Sequence, residues 1–562
     1  MIRCVQALGV IAALMSSTAA SAQPEEAPRS PDSAPVVPEP AAPVPSEPAE
    51  PLEPPEPPEP ERDSRCQLGV MGCYLDVDGS TRWAADDYRA LHARPAPHYW
   101  RAALEMALSL GAGTAWYWID RERQVADWDY PSLRQRASLD VLRLDNNEFG
   151  INFLGHPLDG AAFHALSRAN HLSLAESFGY GMATSLVWEY VLEFREKISI
   201  NDIIVTPVAG VAVGEFAHRL GMYLNSAPGH GRWWHKLAGW TLGPIVATHH
   251  RLDGYRPTGG PGRDGGLDHL GYRRDLWHHF ELAYVATHIE SDDLAADSEA
   301  ETGHLHGVHM TGQLVAIPGY RRPGTFQRWF ADADISALSF AADFGAGGHG
   351  LALYADTVLA GFYAQRVARG GDGVTAALGS SLGFRFRDEG FADWRDRVGV
   401  AHLPGLAAQL GLSWQGVRLD LSARLHGDFA GLHARPYADW EAAYPDETGK
   451  SILRKQGYYY GWGNSHWLEA ALSSSRVSLG GRLFYGRYRS QEGLDRTQEL
   501  LTADVSADDT VIDRRAWLRV RPLAGALTIA LTGRWRTRRS AVGAFTSDRA
   551  LRRVSLWLGA TL

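Results

Sequence analysis

Gly405-Leu406-Ala407-Ala408-Gln409-Leu410-Gly411-Leu412-Ser413-Trp414, then Gln415-Gly416, then Val417-Arg418-Leu419-Asp420-Leu421-Ser422-Ala423-Arg424-Leu425-His426 is the stretch that decides the fold. Successive side chains of a strand point to opposite faces. Leu406, Ala408, Leu410, Leu412 and Trp414 therefore share one face. Val417, Leu419, Leu421, Ala423 and Leu425 share another, with Arg418, Asp420, Ser422, Arg424 and His426 behind them. A two-residue loop keeps Trp414 and Val417 on the same face of one hairpin.

The same alternation recurs from about Phe280 to the C-terminus. It predicts strands at Phe280–His288, His304–Ala316, Ile335–Phe344, Gly350–Tyr363, Val374–Phe386, Gly405–Trp414, Val417–His426, Gly457–Ser473, Arg476–Tyr488, Val511–Val520, Ala526–Arg536 and Arg553–Leu562. Twelve is an even number, as expected of a single-chain bacterial outer-membrane barrel. Tight breaks at Gln415-Gly416, Ser474-Ser475 and Pro522–Gly525 fall on one side. Long connections at Arg387–Pro404, Gly427–Gln456, Arg489–Thr510 and Thr537–Arg552 fall on the other. Ala364–Gly373 and Ile317–Asp334 are long on the short side, and Gly345–His349 is short on the long side. Short turns belong to the periplasm, and on the balance of connections the residues before the barrel start there. Tyr458, Tyr459, Tyr460 and Trp462 read as interfacial girdle residues. Arg418, Asp420, Arg424, His426, Glu469, Arg482, Arg534 and Arg536 read as lumen residues, and outer-membrane lipid and lipopolysaccharide are the expected surroundings.

The N-terminus carries export and spacer signals. Arg3, the apolar run Val5 to Met15 and Ala20-Ser21-Ala22 form a signal peptide over residues 1–22. Residues 23–62 hold half of the chain's 30 prolines, with ten acidic residues against two arginines. Such a stretch is an extended linker without a core. It carries most of the net charge of −10, so the folded remainder is close to neutral and no basic surface for nucleic acid is implied. Cys66 and Cys73 remain in the mature chain, and a disulfide is expected, with two free thiols the alternative.

Residues 63–271 read as helical and 272–562 as the barrel. Tyr99 to Trp118 is apolar on most faces. Ser173, with Glu176 three residues on, begins a helix running to about Phe194, and Ser199, with Asp202, begins one running to about Leu224. The expected fold class is α+β membrane: a mostly helical periplasmic domain packed under an antiparallel transmembrane barrel.

Several separated motifs carry a family likeness. They include Asp145-Asn146-Asn147-Glu148-Phe149-Gly150-Ile151-Asn152-Phe153-Leu154-Gly155-His156-Pro157, Ser167-Arg168-Ala169-Asn170, Ser185-Leu186-Val187-Trp188-Glu189-Tyr190 and Ser199-Ile200-Asn201-Asp202. Gly210, Gly214-Glu215, Arg219-Leu220 and the closing Arg251-Leu252-Asp253-Gly254 complete the set. Over roughly Trp100 to Gly254 the chain resembles the bacterial envelope family named domain of unknown function 3943. The resemblance implies a helical domain attached to an outer-membrane barrel and no established activity. His218 stands where the family pattern has an aromatic.

Glu189, His156 and His164 are the candidate acid–base groups. Glu189 sits in an apolar helix and calls for a partner, with Arg168, Asn170 or Arg219 available. Glu215 and Arg219 have i, i+4 ion-pair spacing, Asn201 and Asp202 suit helix initiation, and Gly210 with Gly214 allows close helix approach. No metal or cofactor is implied. Two readings follow: a non-enzymatic barrel protein serving structure, docking or restricted passage, with the barrel-insertion machinery as partner, or an enzyme on lipid or glycan using Glu189, His156 or His164. Gly379-Ser380-Ser381-Leu382-Gly383 lies inside a predicted strand and reads as chance.

Overall fold

The computed structural model describes residues 73–75, 81–83, 95–120, 129–227, 232–255, 267–273, 276–294, 300–392, 394–522 and 526–561. The signal peptide, the proline-rich linker and Cys66 lie outside the described residues.

Twelve antiparallel strands close into a barrel: β1 Trp277–Asp293, β2 Glu301–Val315, β3 Ile335–Gly345, β4 Gly348–Val367, β5 Gly373–Phe391, β6 Trp394–Trp414, β7 Val417–His433, β8 Tyr458–Ser473, β9 Val477–Ser490, β10 Ala507–Val520, β11 Leu527–Val542 and β12 Phe545–Thr561. Closure is made by β12 on β1, from Arg549 opposite Asp293 to Thr561 opposite Glu281. A short strand, Gly324–Phe330, pairs with the lower part of β4, and Cys73–Leu75 and Thr81–Trp83 extend from it.

The alternation has the expected sense. On β12, Val554, Leu556 and Leu558 are exposed, whereas Arg553, Ser555 and Trp557 are buried. Gln415 and Gly416, both at positive φ, turn the β6–β7 hairpin. The Gly-x-Ser-x-Gly stretch lies within β5 at a register shift.

Strand number and order match the sequence pattern, but several strand ends do not. Arg387–Pro404 and Thr537–Arg552, expected as long connections, are mostly strand. β5 and β6 meet at Phe391 and Trp394, and β11 and β12 at Val542 and Phe545. Their inner faces carry buried Arg385, Arg387, Glu389, Asp396, Arg536 and Arg538. An alternation of charged and small residues lacks the greasy face that marks a strand in sequence.

The helical region comprises α1 Tyr99–Asp120, α2 Leu133–Ala137, α3 His156–Ala169, α4 Leu174–Val187, α5 Ile200–Leu224, α6 Trp233–Leu242 and α7 Pro244–Leu252. Two further helices, α8 Tyr437–Ala443 and α9 Ser451–Gln456, lie between β7 and β8. Ser173 and Glu176 form the expected capping box, but α4 gives way to a π-turn at Trp188–Leu192 before Phe194. Ser199 does precede α5, yet its hydroxyl bonds Asn201 instead of capping the helix.

The helices do not sit beneath the barrel. They pack on the outside of its wall. On β4, Tyr354 and Asp356 face the lumen, where Tyr354 stacks on Trp467 and Asp356 meets Arg424 at 2.5 Å. The alternate residues Leu353 and Ala355 join Phe149, Phe153, Val205, Val208 and Ala212 in one core. On β5, Leu382, Phe384 and Phe386 join that core, while Arg385 and Arg387 point inward to Asp513. Charging a side chain on the lipid-facing surface of a barrel costs about 2–4 kcal/mol at midplane. Leu558→Arg should therefore lower unfolding free energy in liposomes by that amount, while Arg539→Leu, near the β11–β12 turn, should change it little. Denaturant titration followed by heat-modifiable gel mobility checks both.

Candidate functional site

The polar residues of the helical region gather in three sets. The first joins α3 and α5 to the barrel. Glu215, fully buried, accepts from Arg168 Nε at 3.0 Å, lies 2.9 Å from His164 Nε2 and pairs with Arg219 at 2.9 Å. Arg168 also reaches Asp332, and Arg219 lies 3.8 Å from Asp334. These acids lie between the short strand Gly324–Phe330 and β3. Close approach of the helices makes this set possible. A Cβ on Gly210 would stand 2.7 Å from the Gly160 carbonyl, and one on Gly214 2.7 Å from the Ala161 carbonyl.

The second set lies where α5 begins. Asn201 Oδ1 accepts from the Asp145 amide at 3.1 Å, and Asn201 Nδ2 donates to Asp202 at 2.9 Å. His156 stands 3.4 Å from Asp202. Asn152 donates to Asp145 at 2.7 Å and to the Tyr458 hydroxyl at 3.0 Å, and the Tyr460 hydroxyl donates to Asp145 at 2.5 Å. Tyr458 and Tyr460 are buried against the helices, and Tyr459 points inward to Asp509 at 2.9 Å, so these three are not girdle residues. Trp462 remains exposed.

Glu189 takes none of the expected partners. Its Oε2 accepts the Ser199 amide at 2.8 Å, and its Oε1 has no hydrogen-bond partner among the described residues. Arg136 of α2 instead donates to the backbone carbonyls of Glu189, Glu193 and Glu196, closing the frayed end after α4. Beyond it, Lys197 donates to Glu499 at 2.7 Å. That hydrogen bond holds the Glu499 carboxyl below its usual range.

Sequence spacing does not point to the third set, although Asn170 and Asp253 stand in the family motifs. Glu105 of α1, buried, accepts from Asn170 Nδ2 at 2.6 Å and lies 3.0 Å from His249 Nε2. Arg101, one turn earlier, bonds Asn170 and reaches both oxygens of Asp253, at 2.5 and 3.2 Å. Two charged residues four apart in an otherwise apolar helix were the available signal. His98, His171 and Asp253 bring three ligand-type atoms within 4.8 Å of one another. Arg101 already occupies both oxygens of that carboxylate, and a cation there would have to displace it.

The three sequence candidates therefore divide: His164 belongs to the Glu215 set, His156 to the Asp202 set, and Glu189 to a backbone amide. They do not converge on one site. In the barrel, His402 Nδ1 faces both Asp428 at 2.7 Å and Ser465 at 3.2 Å. A relay needs the acid and the hydroxyl on opposite ring nitrogens, so this trio is a buried polar contact.

Fold and site together define an outer-membrane-type β-barrel with a helical layer held by closed polar sets. Residues 141–245, within the helical region, match the family model described as a domain of unknown function, DUF3943. The match is narrower than the span Trp100 to Gly254 over which the likeness was read. No curated protein matches. Among solved structures, the chain is similar to the translocator domain of autotransporter NalP from Neisseria meningitidis, with 12% identity, 52% of this chain and 90% of that chain covered, and a TM-score of 0.20. It is also similar to the KdgM porin, with 9% identity over 49% and 98% of the two chains and a TM-score of 0.19. A Pseudomonas aeruginosa FadL homologue matches at 10% identity over 52% and 90%, with a TM-score of 0.21.

Removing one partner from a buried ion pair costs about 3–5 kcal/mol. Glu215→Ala leaves Arg168 and Arg219 with only Asp332 and Asp334, so a loss near the lower end is expected. His156→Ala should cost about 1 kcal/mol or less, as for partly exposed pairs. Limited proteolysis of the helical region under increasing urea distinguishes the two.

Proposed function

We propose that the protein is a sealed outer-membrane barrel with a non-enzymatic role in envelope structure and docking. The barrel end that carries the Gln415-Gly416 turn faces the periplasm, and residues 23–62 serve as a spacer. Outer-membrane lipid and lipopolysaccharide surround the barrel, and the barrel-insertion machinery is the partner that places it there.

The observation that carries this reading is a belt of ion pairs across the lumen. Asp513 on β10 receives Arg385 and Arg387 from β5 across the barrel, at 3.3 and 3.4 Å, and Arg534 from β11 at 2.9 Å. Glu389 takes Arg536 at 2.6 Å and lies 3.4 Å from Arg553. Arg538 bridges Asp396 and Asp509. Amid Arg385, Arg387, Asp396, Arg536 and Arg538 the enclosed cavity measures about 10 Å³, room for roughly one water.

The short-turn end is filled differently. Ile317 and Tyr320, from the connection after β2, pack with Phe326, Phe330, Tyr363 and Ala407. Arg321 reaches Asp420 at 3.0 Å, and Gln365 donates to the Arg322 carbonyl at 2.6 Å. Solute passage would have to break both layers.

In planar bilayers the full-length mature chain is expected to give no steady conductance. The double substitution Arg536→Ala and Arg538→Ala leaves Glu389, Asp396 and Asp509 without those cations, and should produce fluctuating channel events. A stable open conductance of the unsubstituted protein would overturn the sealed reading.

A further inference from the structure

α5 is long and apolar enough to cross a membrane, yet protein covers it on both sides. Its course is informative. At one end Asn201 joins Asp145 and, through it, Tyr460 near the start of β8, beside the long β7–β8 connection. At the other end Tyr223 packs on His278 and Phe280 near the start of β1, and Phe216 meets Gly312 of β2. The helix thus runs along the outer wall from one rim towards the other. Whatever lies against the outer wall at mid-height of a membrane barrel occupies the level of the hydrocarbon.

α1 forms the outer part of this layer, and its pattern is inverted relative to a water-facing helix. Trp100, Leu104, Leu108, Trp116 and Ile119 are each at least half exposed, and Ala107, Gly111, Ala112 and Ala115 complete the stripe. Its charged Arg101 and Glu105 turn inward to Asp253, Asn170 and His249. Trp100 and Trp116 lie sixteen residues apart, about 24 Å along a helix, close to the roughly 25 Å apolar band of an outer-membrane barrel. Tryptophan favours the two edges of such a band. On α6, Trp233, Leu237 and Trp240 repeat the pattern at i, i+4 and i+7.

We propose that the helical layer is embedded in the bilayer beside the barrel, with the α1 stripe in contact with lipid acyl chains. The assignment rests on the outer-membrane reading of the barrel. In this arrangement the Glu215 and Asp202 sets are shielded from lipid between helices and wall, and the Arg101–Asp253 end lies at one membrane edge.

Single cysteines at Leu108, Leu104, Leu558 and Arg539, in a full-length chain with Cys4→Ser, Cys66→Ser and Cys73→Ser, would carry nitroxide labels in liposomes. Accessibility to oxygen and to a water-soluble nickel chelate is then compared. Leu108→Cys and Leu104→Cys are expected to match Leu558→Cys on the barrel belt, at least tenfold more accessible to oxygen relative to chelate than Arg539→Cys. Chelate access at 104 and 108 with oxygen preference at 558 overturns the embedded layer and spares the barrel reading. Shielding from both probes means a protein surface, such as a second copy, covers the stripe, and also overturns it. Chelate access at 558 itself removes the membrane reading on which the proposal stands.

Discussion

Backbone amides that face hydrocarbon have no water to bond, so each needs a partner in the sheet. The pairing of β12 with β1 meets that demand for the last open edge. Once the ring is closed, every second side chain is committed to the outside and its neighbours to the inside. The leucines of β6, β7 and β12 follow from this constraint. So does the crowding of arginines and carboxylates within.

A closed ring of twelve strands with charged inner faces has to neutralise those charges. Here the neutralisation is made across the barrel, between strands far apart in the ring. Asp513 holds Arg385 and Arg387 from β5, and Glu389 holds Arg536 from β11. Buried pairs of this kind contribute little net stability but make the loss of one partner costly. The helical layer follows the same rule on the other side of the wall, where Glu215 is matched by two arginines and a histidine.

Much of the barrel was legible in sequence because period-two alternation with leucine on one face has few other meanings. The extensions beyond the predicted strand ends were not, since Arg387, Asp396 and Arg538 are followed by Asp388, Arg397 and Arg539, which carry no apolar signal. Tyr458 and Tyr460 at a strand start read naturally as girdle aromatics. Their true partners, Asn152 and Asp145, lie some three hundred positions away. In the helical region, the i, i+4 pair Glu215–Arg219 and the glycine face were readable because both are local. The partners of Glu189 and Glu105 depend on how segments cross, and no spacing rule encodes that. The position of the helices beside the wall instead of beneath it was hidden for the same reason.

The placement of α5 against β3 to β6 has a consequence for biogenesis. The ribosome makes the helices before any of the wall that will cover them. Until β3 to β6 are in place, Val205, Val208 and Ala212 have no sheet to rest on. Maturation is thus a docking event, in which α5 waits for strands that are made after it.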